Sequence, residues 1–136
     1  MEFNDNLEKL RKISEKLIER DAHFEQILRY SKISIFTKDP FGRYTYANQE
    51  CADTMQVPRE EIIGKTDKEL WPADIAEALI KIDSEIIINK KPTATVEELP
   101  AFGRLRKFLC YKFPLIGING SVIGGISIRL PEDWSA

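Results

Sequence analysis

The apolar positions between Phe3 and Tyr30 fall on a helical seam. Phe3, Leu10, Leu17 and Phe24 lie seven apart, and Leu7 and Leu28 take the alternating four-three step. Ser14 and Asp21 interrupt that seam, and Asp21 is suited to cap a second helix starting near Ala22. The pattern therefore predicts a long leading helix, a weak point over 20–22, and a short helix ending by Ser31. A stripe of this kind serves either a helix lying on its own domain or one that also meets a second subunit.

From residue 33 the period changes from helical to alternating. Residues 33–38 are rich in β-branched and aromatic types, Asp39-Pro40-Phe41-Gly42 supplies turn chemistry, and 43–47 reads as a second strand, so a hairpin is expected. Asn48 stands where its side-chain oxygen can cap a helix over 49–55, and Pro58 opens a brief helix that Gly64 stops. In 73–89 Ile75, Leu79, Ile82 and Ile86 recur at four, three and four residues, the mark of one long helix. Lys90-Lys91-Pro92 ends it. Strands follow over 93–99, 105–113 and 121–130, the last two joined by Asn119-Gly120, a strong hairpin signal.

Two strands, several helices and three strands predict an α+β fold: a five-stranded antiparallel sheet with helices on one face, plus the N-terminal amphipathic helix. In 105–113 both parities are largely apolar. Leu105, Leu109, Tyr111 and Phe113 point one way, Phe108 and Cys110 the other, so this strand should be covered on both sides. The internal helices cover one side. The leading helix, or a second copy of it, is the natural cover for the other.

With 136 residues, 43% of them hydrophobic, the chain has material for one domain and an appended segment. Its formal net charge of -2 supplies no bulk field toward nucleic acid or anionic lipid. Cys51 and Cys110 lack metal or redox spacing and read as free thiols. No apolar run approaches a membrane span and no signal-peptide order opens the chain, so a cytoplasmic location is expected.

The segments 36–48, with Lys38-Asp39 before a glycine turn and Asn48 after the second strand, and Lys112-Phe113-Pro114-Leu115 near the end carry a family likeness. With Glu61-Ile62-Ile63-Gly64-Lys65-Thr66-Asp67 in the helical hinge and Asp83 in the long helix, the stretch from Ile33 to Leu130 resembles a PAS domain of bacterial sensor proteins. The resemblance implies a sensory or dimerisation module, non-catalytic in itself. It would pass a signal to an output domain such as a histidine kinase of a two-component system, a cyclic-dinucleotide enzyme or a transcription regulator. The chain then divides into a helical segment over 1–31, the PAS domain over 32–130 and a tail over 131–136. Where the family usually has Asp-Ile-Thr after its last strand, this chain has Leu130-Pro131-Glu132-Asp133-Trp134, and Pro131 disfavours a helix continuing from the strand. Signal would then leave through the N-terminal helix.

A pocket is expected between the helical middle and the inner sheet face, lined by Met55, Ile63, Leu70, Trp71, Leu79, Ile82, Ile86 and Tyr111. The same residues equally suit a packed core. Lys107, on the parity of Leu109 and Tyr111, is the one interior cation candidate, and no convergent charges are evident. Haem is disfavoured, because family members hold it through a histidine in or near the long helix whereas His23 lies in the leading helix. Covalent flavin is disfavoured because Gln49-Glu50-Cys51-Ala52-Asp53 lacks the family's reactive-cysteine motif; non-covalent flavin or a small metabolite stays open. The candidate dimer interface is Phe3, Leu7, Leu10, Leu17, Phe24 and Leu28, giving a homodimer. A catalytic reading lacks a nucleophile-base pair, and a DNA-binding reading on Arg104, Arg106, Lys107 and Lys112 lacks a helix-turn-helix, so direct nucleic-acid contact is not expected.

Overall fold

The computed structural model describes residues 2–135. Met1 and Ala136, the outer limits of the expected helical segment and tail, lie outside the described residues. Helix α1 runs unbroken over Glu2–Tyr30. The expected weak point over 20–22 does not form. No proline or glycine interrupts the segment, an aspartate costs a helix only a few tenths of a kcal/mol, and Arg11 ties adjacent turns together through Glu8 and Glu15.

Strand β1 (Ile33–Lys38) pairs with β2 (Tyr44–Ala47) through the Asp39–Gly42 turn, where the Asp39 carboxylate accepts from the Phe41 and Arg43 backbone N–H groups at 2.9 Å each. Short helices α2 (Gln49–Met55), α3 (Arg59–Ile62) and α4 (Asp67–Leu70) lead to the long α5 (Ala73–Asn89). Then come β3 (Thr93–Ala101), β4 (Arg104–Ile118) and β5 (Ser121–Arg129). The sheet is antiparallel throughout, in the order β2-β1-β5-β4-β3.

Local chemistry explains the joints. The Asn48 side-chain oxygen caps α2 by accepting from the Cys51 N–H at 3.0 Å and also accepts from Ile35 N–H at 3.1 Å, while its amide donates to the Ile33 carbonyl at 2.9 Å. One buried side chain thus fixes α2 to β1. Asn119 and Gly120 both take positive φ, the geometry that lets a two-residue turn follow the strand twist. Phe102 and Gly103 do the same between β3 and β4, so β3 extends through Pro100. Proline is tolerated there because β3 is an edge strand.

The sheet has two unlike faces. Ser34, Phe36 and Lys38 of β1, Phe108, Cys110 and Lys112 of β4, and Ile123 of β5 are buried toward the helices, where Phe36, Tyr44, Ala47, Cys51, Ala52 and Ile62 form the main apolar cluster. The opposite parity carries Val96, Leu105, Leu109, Tyr111, Ile126 and Ile128, all exposed. Helix α1 does not cover that face. From Glu2 to Phe24 every α1 side chain is exposed; Leu28 alone is buried, and Glu25, half-buried, holds the Tyr46 hydroxyl and Arg59.

Candidate functional site

The inner face is a charged interior. Lys38, on the parity of Phe36, is only 1% exposed. Its ammonium donates to Asp67 of α4 and to Asp83 of α5, each at 2.7 Å. It also lies 4.8 Å from the centre of the Tyr44 ring and 5.3 Å from that of Phe36. The second Asp67 oxygen accepts from the Tyr44 hydroxyl at 2.7 Å. Burial pulls the Lys38 ammonium toward its neutral form, but Asp67 and Asp83 together overcome this and hold its pKa above the ordinary lysine value. The Tyr44 hydroxyl is pushed well up, first by burial and then by Asp67. The Trp71 indole N–H opposes that rise without reaching hydrogen-bond geometry with it.

Lys112 is the second interior cation, 2% exposed on β4, which lies between β5 and β3. Its ammonium sits 3.5 Å from Asp83 and 3.4 Å from Glu97, within ion-pair range but without hydrogen-bond alignment. Asp83 therefore bridges Lys38 on β1 and Lys112 on β4, across the intervening β5. Charges this deep persist only when paired, since removing one partner strands the other in a low-dielectric interior.

A cavity of about 50 Å³ opens beside this cluster. Lys38, Tyr44, Trp71, Glu97 and Lys112 line it together with Phe36, Cys51, Met55, Leu79, Phe108 and Cys110. Burial raises the Cys51 thiol to about 12, against the lowering influence of Lys38, and raises Cys110 further, with help from Glu97. Both are protonated, weak nucleophiles at neutral pH. Engineered cavities that admit benzene measure roughly 150 Å³, so a tricyclic flavin does not fit this space as it stands.

Of the pocket residues expected from sequence, Met55, Trp71 and Leu79 line the cavity. Leu70 packs on the main apolar cluster instead, Ile82 is half-buried on α5, and Ile86 is buried away from the cavity. Ile63 is 44% exposed while its neighbour Ile62 is buried, because α3 ends at Ile62 and the chain turns there. Tyr111 is 47% exposed on the outer face, since its parity is that of Leu109 and not of Cys110. The same reasoning corrects Lys107. The interior cations are Lys38 and Lys112, and convergent charges do exist. Of the seam residues, Phe3, Leu7, Leu10, Leu17 and Phe24 are exposed and Leu28 is buried within the chain.

The sequence does carry a signal for Lys112, which shares parity with Phe108 and Cys110. Lys38 shares parity with Phe36. Among the described residues no cluster of three or more His, Cys, Asp or Glu is placed to hold a metal, and no helix is long and apolar enough to cross a membrane.

Comparison with known proteins agrees with this fold. The chain is 26% identical over 122 residues to the methanogenesis regulatory histidine kinase FilI of Methanothrix harundinacea, covering 90% of this chain and 14% of the kinase. It superposes on Vibrio cholerae VqmA, a LuxR-type receptor, with a TM-score of 0.70 at 24% identity, covering 85% of this chain and 52% of VqmA. The PAS domain of the Cronobacter turicensis quorum-sensing receptor RpfR, solved with BDSF, matches with a TM-score of 0.61 at 14% identity, over 74% of this chain and 95% of that domain. The chain thus spans a small part of the kinase and about half of VqmA. A family model described as PAS fold matches residues 28–128, and the chain belongs to the PAS family.

Proposed function

We propose that this chain is the sensory module of a larger signalling protein: a small molecule enters the cavity, and the change is relayed through α1 within a homodimer to an output domain. The observation that carries this reading is the Asp83 bridge. The one long helix of the domain is tied ionically to two strands at the edge of the cavity. A molecule that reorders those pairs would shift α5 against the sheet, giving two packings between which binding could choose. The kinase relative and the RpfR structure with its bound BDSF supply precedent for both ends of such a relay.

Dimerisation rests on the exposed seam of α1, with Phe3, Leu7, Leu10, Leu17 and Phe24 in water and the outer sheet face uncovered beside it. The same exposure, with so small a cavity, also favours a second reading, an interaction module that dimerises without a ligand. Light scattering on the intact protein and on a Leu10→Glu, Leu17→Glu, Phe24→Glu triple variant tests the interface. A dimer that becomes monomeric with its fold retained supports the seam, and an intact dimer excludes it. Native mass spectrometry of the freshly purified protein separates the two readings, because a bound small molecule supports the sensor.

A further inference from the structure

Two hydrogen-bond donors on the cavity wall make no aligned hydrogen bond among the described residues: the Trp71 indole N–H, and the Lys112 ammonium, which has Glu97 at 3.4 Å and Asp83 at 3.5 Å only in ion-pair range. Both atoms are buried, and Lys112 as a whole is almost completely so. Buried donors of this kind are rarely left unmet, because each costs the full desolvation of the group. Lys38, by contrast, spends its protons on Asp67 and Asp83. The wall therefore holds two donors without aligned acceptors, and behind it Asp83 Oδ1, 3.5 Å from the Lys112 ammonium, is likewise buried without a hydrogen bond.

The surrounding charge sets the ligand class. Lys38 and Lys112 face Asp67, Asp83 and Glu97, so the cluster already carries more carboxylates than ammonium groups. An added anion would meet a negative excess in a poorly screened interior, and a cation would meet the two ammonium groups lining the cavity. A neutral acceptor meets neither penalty. We infer that the cavity takes the neutral carbonyl group of a small amide or ketone, its oxygen accepting from Lys112 and Trp71, with Leu79 and Phe108 against its apolar part. A carbonyl oxygen has two lone pairs and can accept both donors at once. The space suits a body of about three to five heavy atoms, given that roughly 150 Å³ is needed for benzene. This inference rests on reading the cavity as the sensory site.

Acetamide and acetate are nearly isosteric and differ in charge, while xenon probes an apolar void. Titrating each into the isotopically labelled protein, and following the Trp71 indole N–H resonance by NMR, tests the assignment. Trp71→Phe identifies the peak against that of Trp134. The expected result is a saturable downfield shift with acetamide and weaker effects from acetate and xenon. Affinity, read from the acetamide signal, should fall about 3–10-fold in Trp71→Phe and about 10–100-fold in Lys112→Met, the range for losing a neutral and a charge-assisted bond. If Lys112→Met fails to fold, Trp71→Phe, which keeps an aromatic ring in place, still decides the matter.

Acetate binding more tightly than acetamide overturns the neutral class, and a xenon response equal to that of acetamide makes the cavity apolar. No shift with any probe up to molar concentration removes the site. The seam variants report separately on the relay. A saturable acetamide shift with a dimer indifferent to those changes keeps the carbonyl site and removes the proposed signalling route; the converse pair removes the site and leaves the module.

Discussion

The two faces of this sheet reverse the usual partition. The layer between the sheet and the helices holds two lysines, three carboxylates and two thiols, whereas the face toward water holds Val96, Leu105, Leu109, Tyr111, Ile126 and Ile128. Burial alone therefore does not rank these residues by their contribution. On the inner face the energetics lie in ion pairs, where each charge depends on its partner. On the outer face the apolar area is unspent, available to a neighbour but contributing little to the isolated fold.

The comparison breaks most sharply at Lys38. Lys38→Met leaves Asp67 and Asp83 buried without the cation they share, and should cost about 3–5 kcal/mol in chemical denaturation at neutral pH. Because Lys38 has a raised pKa when folded, its contribution is fully present below the ordinary lysine value and is lost only as pH rises through the folded one. Neutral pH lies well inside that window. The deficit should therefore hold steady from mildly acidic to neutral pH and narrow only as pH rises through the folded lysine value. A deficit that grows with acidity would contradict the pairing.

Gly125 probes the apolar part of the inner face. A Cβ there would come within 2.2 Å of the Phe36 ring, which packs edge-on to Tyr44. Gly125→Ala should cost about 1–3 kcal/mol by overpacking, again read from denaturation. The smallest effect belongs to the outer face. Leu109→Thr with Ile128→Thr, neighbours across β4 and β5, should each change monomer stability by no more than about 0.5 kcal/mol. They should weaken a dimer that uses this face, as dilution series by light scattering would show. A large loss of monomer stability would mean that the face is covered within the chain.

Element order and most boundaries were legible because they rest on local signals. The period of 73–89, the Asn48 cap and the Asn119-Gly120 turn each act over a few residues, and each appears in the structure. The side-chain direction on β4 was harder. With both parities apolar, periodicity ranks neither as inner, and the choice between Leu109 and Cys110 depends on which face the helices cover. Tyr111 and Lys107 share the parity of Leu109, which the structure turns outward. The charged cluster was hidden for a related reason: Lys38 is 29 residues from Asp67 and 45 from Asp83, and only the folded sheet brings them together. At Ile62 and Ile63 the pattern identified the right helix and missed by one position, since a four-residue helix gives too few turns to fix its phase.

The length of α1 has a mechanical meaning. At about 1.5 Å per residue its 29 residues span roughly 43 Å. Its attachments all lie near one end: Leu28 in the core, Glu25 to Tyr46 and Arg59, and Arg29 near Asp53 at 3.9 Å. Such a rod is a lever with its fulcrum against β2 and α2. A tilt of about ten degrees at that fulcrum would carry the far end through roughly 7 Å, given that rise per residue. Displacements too small to disturb the packing around Asn48 would thus arrive at the other end as a change of several ångströms.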